Sequence, residues 1–190
     1  MLRTVLNKEA FVRTLFVLFI LIVRNLLTVS YGQETDELRV KGAYFKVESG
    51  SVATVSGSGT ALNNTNSGIV KIISGGTVTA DGNVNNESGS SIQIDGQLNV
   101  KGNWTNNATA SVALAGGSTG TVEFQGSAAQ TIGGTTSTIF ENFTINNASG
   151  VNLSSNQEIN TQLTFSAGII STGASRLDLT AATDGTSGYG

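Results

Sequence analysis

Apolar and polar residues alternate along most of this chain after its N-terminal segment. Three segments of the form apolar-x-apolar recur at similar distances: Val70–Ile72, Ile92–Ile94 and Val112–Leu114. Successive side chains of a strand point to opposite faces, so this alternation predicts short strands with one buried face. Each segment is preceded by an apolar residue and an Asn pair, namely Leu62 with Asn63-Asn64, Val84 with Asn85-Asn86, and Trp104 with Asn106-Asn107.

Two stretches of the chain, Gly76–Asp95 and Gly96–Ala115, can be superposed without a gap. The equivalent positions include Val84 with Trp104, Asn86 with Asn106, and the Ile92/Ile94 pair with Val112/Leu114. Such a self-similarity, built from short strands and Asn/Gly turns, is typical of a stacked β array. We therefore predict an all-β fold, a parallel β-solenoid with coils of about 20–22 residues. Asn residues that recur at one corner of successive coils can stack their amides as a ladder.

The alternation continues beyond Gly116 with larger apolar residues, which indicates a wider or better-filled core. The inward candidates are Val122, Phe124, Ile132, Phe143, Ile145, Val151, Leu153, Leu163, Phe165, Ile169 and Ile170. Leu177 and Leu179 predict one more strand. An antiparallel sandwich is the alternative fold. The ungapped repeat and the scarcity of hairpin dipeptides, with Asp81-Gly82 and Asp95-Gly96 as exceptions, favour parallel coils.

The chain divides into four predicted segments. Residues 1–32 are a signal peptide, 33–50 an N-terminal tail and cap with a first strand near Ala43–Val47, 51–180 the solenoid repeats, and 181–190 a frayed C-terminal tail. The signal peptide has basic residues before the apolar run Leu15–Val23, and Ser30 and Gly32 suit a cleavage site that leaves Gln33 first. The run is short for a membrane span, so an uncleaved anchor is the lesser alternative.

Composition narrows the function classes. Charged residues make up only 12% of the chain, and it has no Cys and no His. Disulfides, zinc–thiolate sites and thiol nucleophiles are therefore excluded, and the commonest general base is absent. Removal of residues 1–32 takes away four bases and one acid and leaves a net charge of −6, which does not suit nucleic acid or an anionic membrane. No membrane span is predicted in the mature chain.

Several phrases follow one another in order: GNWTNN at Gly102–Asn107, VEFQGSAAQTIGG at Val122–Gly134, FENFTINNASGVNL at Phe140–Leu153 and LTFSAGIISTG at Leu163–Gly173. They resemble the repetitive β-solenoid segments of large secreted and cell-surface, adhesin-like proteins of Bacteroidetes-type bacteria, over roughly residues 76–173. The resemblance implies export, a right-handed parallel β-helix and a surface role without catalytic residues. Such proteins carry a C-terminal sorting domain that nothing here resembles, so a truncated fragment of a longer adhesin is a further expectation.

Aromatic and Thr positions are the first candidate sites. Trp104, the sole Trp, aligns with inward positions, so we expect core packing and not a sugar platform. A sugar-binding site would otherwise depend on Tyr44, Thr79, Asn99 and Asn103. An ice-binding face would need regular Thr-x-Thr, and only Thr77-x-Thr79 fits, aligned with Gln97-x-Asn99.

Acidic residues offer little chemistry in this sequence. Asp81–Asn85 matches only the start of a calcium loop, because Asn86 and Ile92 stand where Gly and Glu are required. Asp81, Glu87, Asp95 and Glu123 are single acids and Lys71 and Lys101 single bases, with Asp81 and Lys101 predicted to form an exposed ion pair. Seven N-x-S/T sequons, at Asn63, Asn86, Asn103, Asn107, Asn142, Asn147 and Asn152, are typical of an Asn-rich turn protein.

These features predict an exported structural or adhesin-like surface module that presents a polar face and catalyses no reaction. We assign no catalytic, cofactor-binding or metal-binding residue and no cofactor. The expected partners are polysaccharide or cell-surface glycans, together with self-association through the open coil ends. The alternatives are a polysaccharide-binding or polysaccharide-processing β-helix protein, or a fragment of a longer adhesin. The expected location is secreted or cell-surface.

Overall fold

The computed structural model describes residues 27–29, 37–57, 59–108, 119–180 and 183–184, with backbone only for the first and last of these ranges. The described residues form strands, turns and bends, with no helix among them. In chain order the strands are β1 (Leu27–Val29), β2 (Leu38–Lys41), β3 (Tyr44–Val47), β4 (Val52–Val55), β5 (Thr60–Thr65), β6 (Ile69–Ile72), β7 (Thr77–Ala80), β8 (Asn83–Asn86), β9 (Ser91–Ile94), β10 (Gln97–Val100), β11 (Trp104–Asn106), β12 (Thr121–Phe124), β13 (Gln130–Gly133), β14 (Ile139–Asn146), β15 (Val151–Leu153), β16 (Gln157–Ala167), β17 (Ile170–Ser171), β18 (Leu177–Leu179) and β19 (Thr183–Asp184).

Every strand pairs in parallel with the equivalent strand of the neighbouring coil, so the fold is a β-solenoid of about six turns. The strands form three sheets, which we call A, B and C, and as far as β10 the chain visits them in the repeating order B, C, A. Sheet B contains β2, β5, β8, β11, β13, β15 and β17; sheet C contains β3, β6 and β9; sheet A contains the remaining strands. Strands β14 and β16 run through a corner, so that Phe140 and Ile159 occupy the sheet C place in the coil order before each strand joins sheet A. The predicted parallel solenoid is confirmed.

The register within the repeat agrees with the gapless superposition. Val84 is paired with Leu62 and with Trp104 in sheet B, and Ile92 is paired with Val70 in sheet C. Asn64, Asn86 and Asn106 are separated by 22 and 20 residues, as predicted. The next coil is longer, since Asn103 and Thr131 are 28 residues apart. The predicted inward positions Val112 and Leu114 lie outside the described residues.

Apolar side chains from all three sheets fill the interior. Most of the predicted inward residues are buried, while Leu163, Phe165 and Ile170 are partly buried against the core. Four aromatic rings pack together in the C-terminal half, with centroid distances of 5.8 Å for Trp104–Phe140 and 4.6 Å for Phe140–Phe143. Beyond Gly116, sequence reasoning missed two core residues, Phe140 and Ile159. The wider core predicted for this half is therefore built around stacked aromatic rings.

Ile169 is 67% exposed, so its assignment to the core was wrong. It is adjacent to Ile170, the first residue of β17, and two consecutive residues of an extended chain cannot both face inward. The neighbouring Gly168, with φ of +89°, turns the chain at this corner.

Glycine is required at two corners because successive coils approach closely there. A Cβ on Gly96 would lie 2.3 Å from the carbonyl oxygen of Gly76, and one on Gly120 would lie 2.3 Å from that of Gly96. Gly82 and Gly102 form a similar column at the corner between sheets A and B. Since none of these glycines needs a positive φ, close backbone packing and not turn geometry explains why Gly recurs in the repeat.

The recurring Asn residues form a buried amide ladder. Asn64 Nδ2 donates to Asn86 Oδ1 at 3.0 Å, and Asn86 Nδ2 donates to Asn106 Oδ1 at 3.2 Å, with all three side chains fully buried. The predicted ladder is confirmed, but these residues lie in strands and not in left-handed turns. Among the residues that the structure describes, the left-handed non-glycine residues are Asn66 and Ser67.

The regular pairing begins earlier than the predicted first strand. Strand β2 pairs with β5 so that Leu38 faces Leu62, and β3 pairs with β6, although both lie in the segment predicted as tail and cap. Strand β1, within the predicted signal peptide, pairs with β4. In the predicted C-terminal tail, β19 pairs with β16; the rest of 181–190 lies outside the described residues.

Candidate functional site

The outward surface of sheet A carries two parallel rows of side chains, which we call the polar face. The first row is Val52, Thr77, Gln97, Thr121, Asn142 and Gln162, and the second is Thr54, Thr79, Asn99, Glu123, Thr144 and Thr164. Eleven of these twelve residues are polar, and all except Val52 and Gln162 are half-buried. The face extends over six coils because the inward positions between the rows, from Val78 to Phe143, keep the strands in phase.

Hydrogen bonds between side chains connect residues of the polar face, both within a strand and between neighbouring coils. Asn99 Nδ2 donates to Thr79 Oγ1 at 3.2 Å, and Gln97 Nε2 donates to Asn99 Oδ1 at 2.8 Å. Gln97 Nε2 also donates to Glu123 Oε2 at 3.3 Å, while Asn146 Nδ2 donates to Glu123 Oε1 at 2.8 Å. The central residues of the face are thereby held in defined rotamers, because each contact restricts two side chains at once.

The polar face is nearly free of charge. Glu123 is the only ionisable residue in the two rows, and its carboxylate accepts hydrogen bonds from the side-chain amides of Gln97 and Asn146. At the adjoining corner Lys101 Nζ lies 2.7 Å from Asp81 Oδ1, so the predicted ion pair is confirmed. Both side chains are partly exposed, and the pair therefore contributes at most about 1 kcal/mol.

Sheet C presents a different surface. Tyr44 is stacked on Ile69, and Lys46 on Lys71, in the first two coils. Tyr44 is 57% exposed, and the hydrogen bond from Lys46 to Glu48 raises the pKa of the Lys46 ammonium. This surface therefore differs from the polar face, which is nearly uncharged and connected by side-chain hydrogen bonds.

The four residues named as a possible sugar site are separated. Thr79 and Asn99 are hydrogen-bonded neighbours on the polar face, whereas Tyr44 lies on sheet C. Asn103 lies at the corner before β11, where its Oδ1 accepts a hydrogen bond from the Thr131 amide at 2.8 Å. Only two of the four therefore belong to one surface.

Trp104 belongs to the core, as predicted. Its side chain is 1% exposed, and its Nε1 donates to Thr138 Oγ1 at 2.9 Å. The hydroxyl of Thr138 is itself fully buried, so the indole N–H has a partner away from water. A sugar platform at Trp104 is excluded by this burial.

The acidic residues remain apart from one another. Asp95 Oδ2 lies 3.8 Å from Lys71 Nζ, and Glu87 Oε2 accepts from Asn107 Nδ2 at 3.2 Å. In the described part of the chain no group of three or more acidic side chains could hold a metal ion. In the partial calcium motif Asp81–Asn85, Asn83 Oδ1 accepts from the Asn103 amide at 2.8 Å, so this oxygen is engaged in coil stacking.

Two of the seven sequon asparagines are buried. Asn86 is 0% and Asn147 1% exposed, so the folded chain does not present them for modification. Asn147 Nδ2 instead donates to Gln130 Oε1 at 2.9 Å, and Gln130 closes a longer corner that sequence reasoning did not identify. The sequence Gln130-Thr131-Ile132 at this corner was the signal from which the buried Gln130 could have been predicted.

The sequence identified only part of the polar face. Thr77, Thr79, Gln97 and Asn99 were aligned correctly by the repeat. Thr54, Thr144 and Thr164 were missed because they lie outside the gapless repeat, although they continue the Thr79 row. Even so, Asn99 and Glu123 interrupt the Thr row that an ice-binding face would need.

Comparison of the chain with protein-family models, with curated proteins and with solved structures gave no match. The resemblance to bacterial surface proteins therefore stays a prediction from the quoted phrases, while the repetitive solenoid is established by the strand pairing. No helix in the described ranges is long and apolar enough to span a bilayer.

Proposed function

We propose that this protein is an exported structural module of the adhesin-like kind, which acts through the outer surface of its solenoid and catalyses no reaction. The observation that carries the proposal is the polar face, a surface over six coils on which eleven of twelve residues are polar and only Glu123 is ionisable. The long parallel ladders of sheets A and B make such a surface stiff, because a shearing force acts on many backbone hydrogen bonds together. The predicted signal peptide supplies the route of export.

Export is tested first by N-terminal sequencing of the natural protein. A mature chain that begins at Gln33 supports cleavage of residues 1–32. Cleavage would also remove β1, whose residues Leu27–Val29 pair with Ala53–Val55, and would leave that edge of β4 open. A chain that retains Leu27–Val29 would contradict the predicted processing.

Surface location is tested by protease treatment of intact native cells, followed by a blot against residues 33–190. Loss of the band from whole cells, with a periplasmic control protein left intact, is the expected result. A band that resists protease until the cells are lysed would refute the surface role. The fold would be unaffected by that outcome.

A further inference from the structure

We propose that the polar face binds a neutral polysaccharide chain lying along the solenoid axis. This inference deepens the proposed surface function and rests on it for its biological setting. The binding residues at the centre would be Gln97, Asn99 and Glu123, with Thr79 and Thr144 on either side. All five face outward on β7, β10, β12 and β14.

Fixed hydrogen-bonding groups are the first argument. The contacts among Gln97, Asn99, Glu123 and Asn146 hold these side chains before any ligand arrives. A carboxylate offers about four lone-pair sites and an amide nitrogen two donors. Glu123 therefore retains acceptor capacity and Asn99 Nδ2 retains one donor, while Gln97, whose Nε2 uses both donors internally, retains its side-chain carbonyl oxygen. Side chains already ordered in this way lose less entropy on binding.

Charge favours a neutral partner. Glu123 is the single carboxylate among the twelve residues, and the nearby Lys101 is already paired with Asp81. A polyanion would meet no unpaired cation on this face and would be repelled by Glu123. A protein partner would need an apolar centre to its interface, and Val52, at the first coil, is the only large apolar residue in either row. Hydroxyl groups of a neutral sugar match the amides, hydroxyls and carboxylate that are present.

The orientation of the polysaccharide along the solenoid axis follows from the geometry of stacked strands. Equivalent side chains of adjacent coils are about 4.8 Å apart, and the face continues for six coils. Across the coil only two outward positions are available, such as Gln97 and Asn99. An extended polymer therefore gains contacts by lying along the axis, and each additional sugar unit adds to the affinity.

The test uses the natural processed protein in native gels that contain a dissolved polysaccharide. The neutral probes are hydroxyethylcellulose, glucomannan and dextran, and the acidic comparison is polygalacturonate. We expect at least one neutral polymer to retard migration. A six-unit oligosaccharide of the same sugar should compete more strongly than the two-unit form.

The variant that probes the site is Asn99→Arg, which places a long cation at the centre of the polar face. Its matched control is Asn85→Arg, on the outward side of β8 in the same coil. Asn85 is half-buried like Asn99, and its partners in the neighbouring coils, Asn63 and Thr105, are uncharged, so the introduced cation meets no like charge there. We expect Asn99→Arg to weaken binding about tenfold or more, as loss of one or two hydrogen bonds predicts, and Asn85→Arg to change it by less than about twofold.

Three results would overturn the inference: no retardation by any neutral probe, retardation by polygalacturonate alone, or equal effects of the two variants. Light scattering on the same samples could give a fourth result that overturns the inference. Self-association that Asn99→Arg abolishes would mean that the face contacts a second copy of the chain. Since the binding assay uses purified protein and the protease assay intact cells, failure of binding leaves the surface role standing, and failure of surface exposure leaves the binding result standing.

Discussion

Asn86, the middle residue of the amide ladder, is a polar position at which one substitution should change the stability of the whole fold. Asn86 accepts a hydrogen bond from Asn64 Nδ2 at 3.0 Å and donates one to Asn106 Oδ1 at 3.2 Å, and it is fully buried. The position therefore needs an acceptor on one side and a donor on the other. Asn86→Asp keeps the shape and the acceptor but removes the donor. A carboxylate oxygen would then face the carbonyl oxygen of Asn106 at hydrogen-bonding distance.

The expected cost can be estimated from these contacts. Loss of the bond to Asn106 destabilises the fold by about 1 kcal/mol, and a buried carboxylate with no cation adds several more. We therefore expect Asn86→Asp to lower the free energy of unfolding by about 3–5 kcal/mol at pH 7. The matched control is Asn85→Asp, on the outward side of the same strand, for which we expect a loss below about 1 kcal/mol.

Acid should partly rescue Asn86→Asp. Burial raises the pKa of the introduced carboxyl above its value in the unfolded chain, so the folded state binds more protons between the two pKa values. The stability of this variant then falls as pH rises, by about 1.4 kcal/mol for each unit by which the pKa is raised. A protonated carboxyl can donate to Asn106 Oδ1, which is the physical origin of the rescue.

Denaturant unfolding at pH 7 and pH 4, followed by Trp104 fluorescence, measures both effects. The stability difference between Asn86→Asp and wild type should shrink at pH 4, while that of Asn85→Asp should change little. Equal destabilisation by the two substitutions, or no dependence of the Asn86→Asp deficit on pH, would refute the role assigned to the ladder.

Two further core predictions use the same assay. Trp104→Phe should lower the free energy of unfolding by about 2–4 kcal/mol, because it removes buried area and leaves the Thr138 hydroxyl without its donor. The double variant Trp104→Phe/Thr138→Val should lose less stability than the sum of the two single variants. Circular dichroism replaces fluorescence as the probe for the variants that lack Trp104. Asn64 Oδ1 has no hydrogen-bond partner within the described residues, and Val40 occupies the ladder position in the preceding coil. Val40→Asn should therefore be better tolerated than Val78→Asn by roughly 2 kcal/mol, since only the first can donate to that oxygen; equal losses would contradict the proposed direction of the ladder.

The sequence by itself determined the architecture and the local register. The apolar alternation predicted the strands, and the gapless repeat paired Val84 with Trp104, Asn86 with Asn106 and Thr79 with Asn99. These pairings follow from parallel stacking, in which equivalent residues of successive coils must lie above one another. The burial of Trp104 was predictable for the same reason.

Only the tertiary structure decided what happens where coil length changes. Corners of different length change the number of residues between equivalent positions, but the strands of sheet A still pair in register. Thr54 and Thr164 therefore join the polar face, although no constant spacing relates them to the repeat. Corner geometry likewise placed Gln130 in the interior and Ile169 outside. Strands are specified by alternation within a few residues, whereas the corners that connect them depend on backbone packing between coils, which a single sequence does not display.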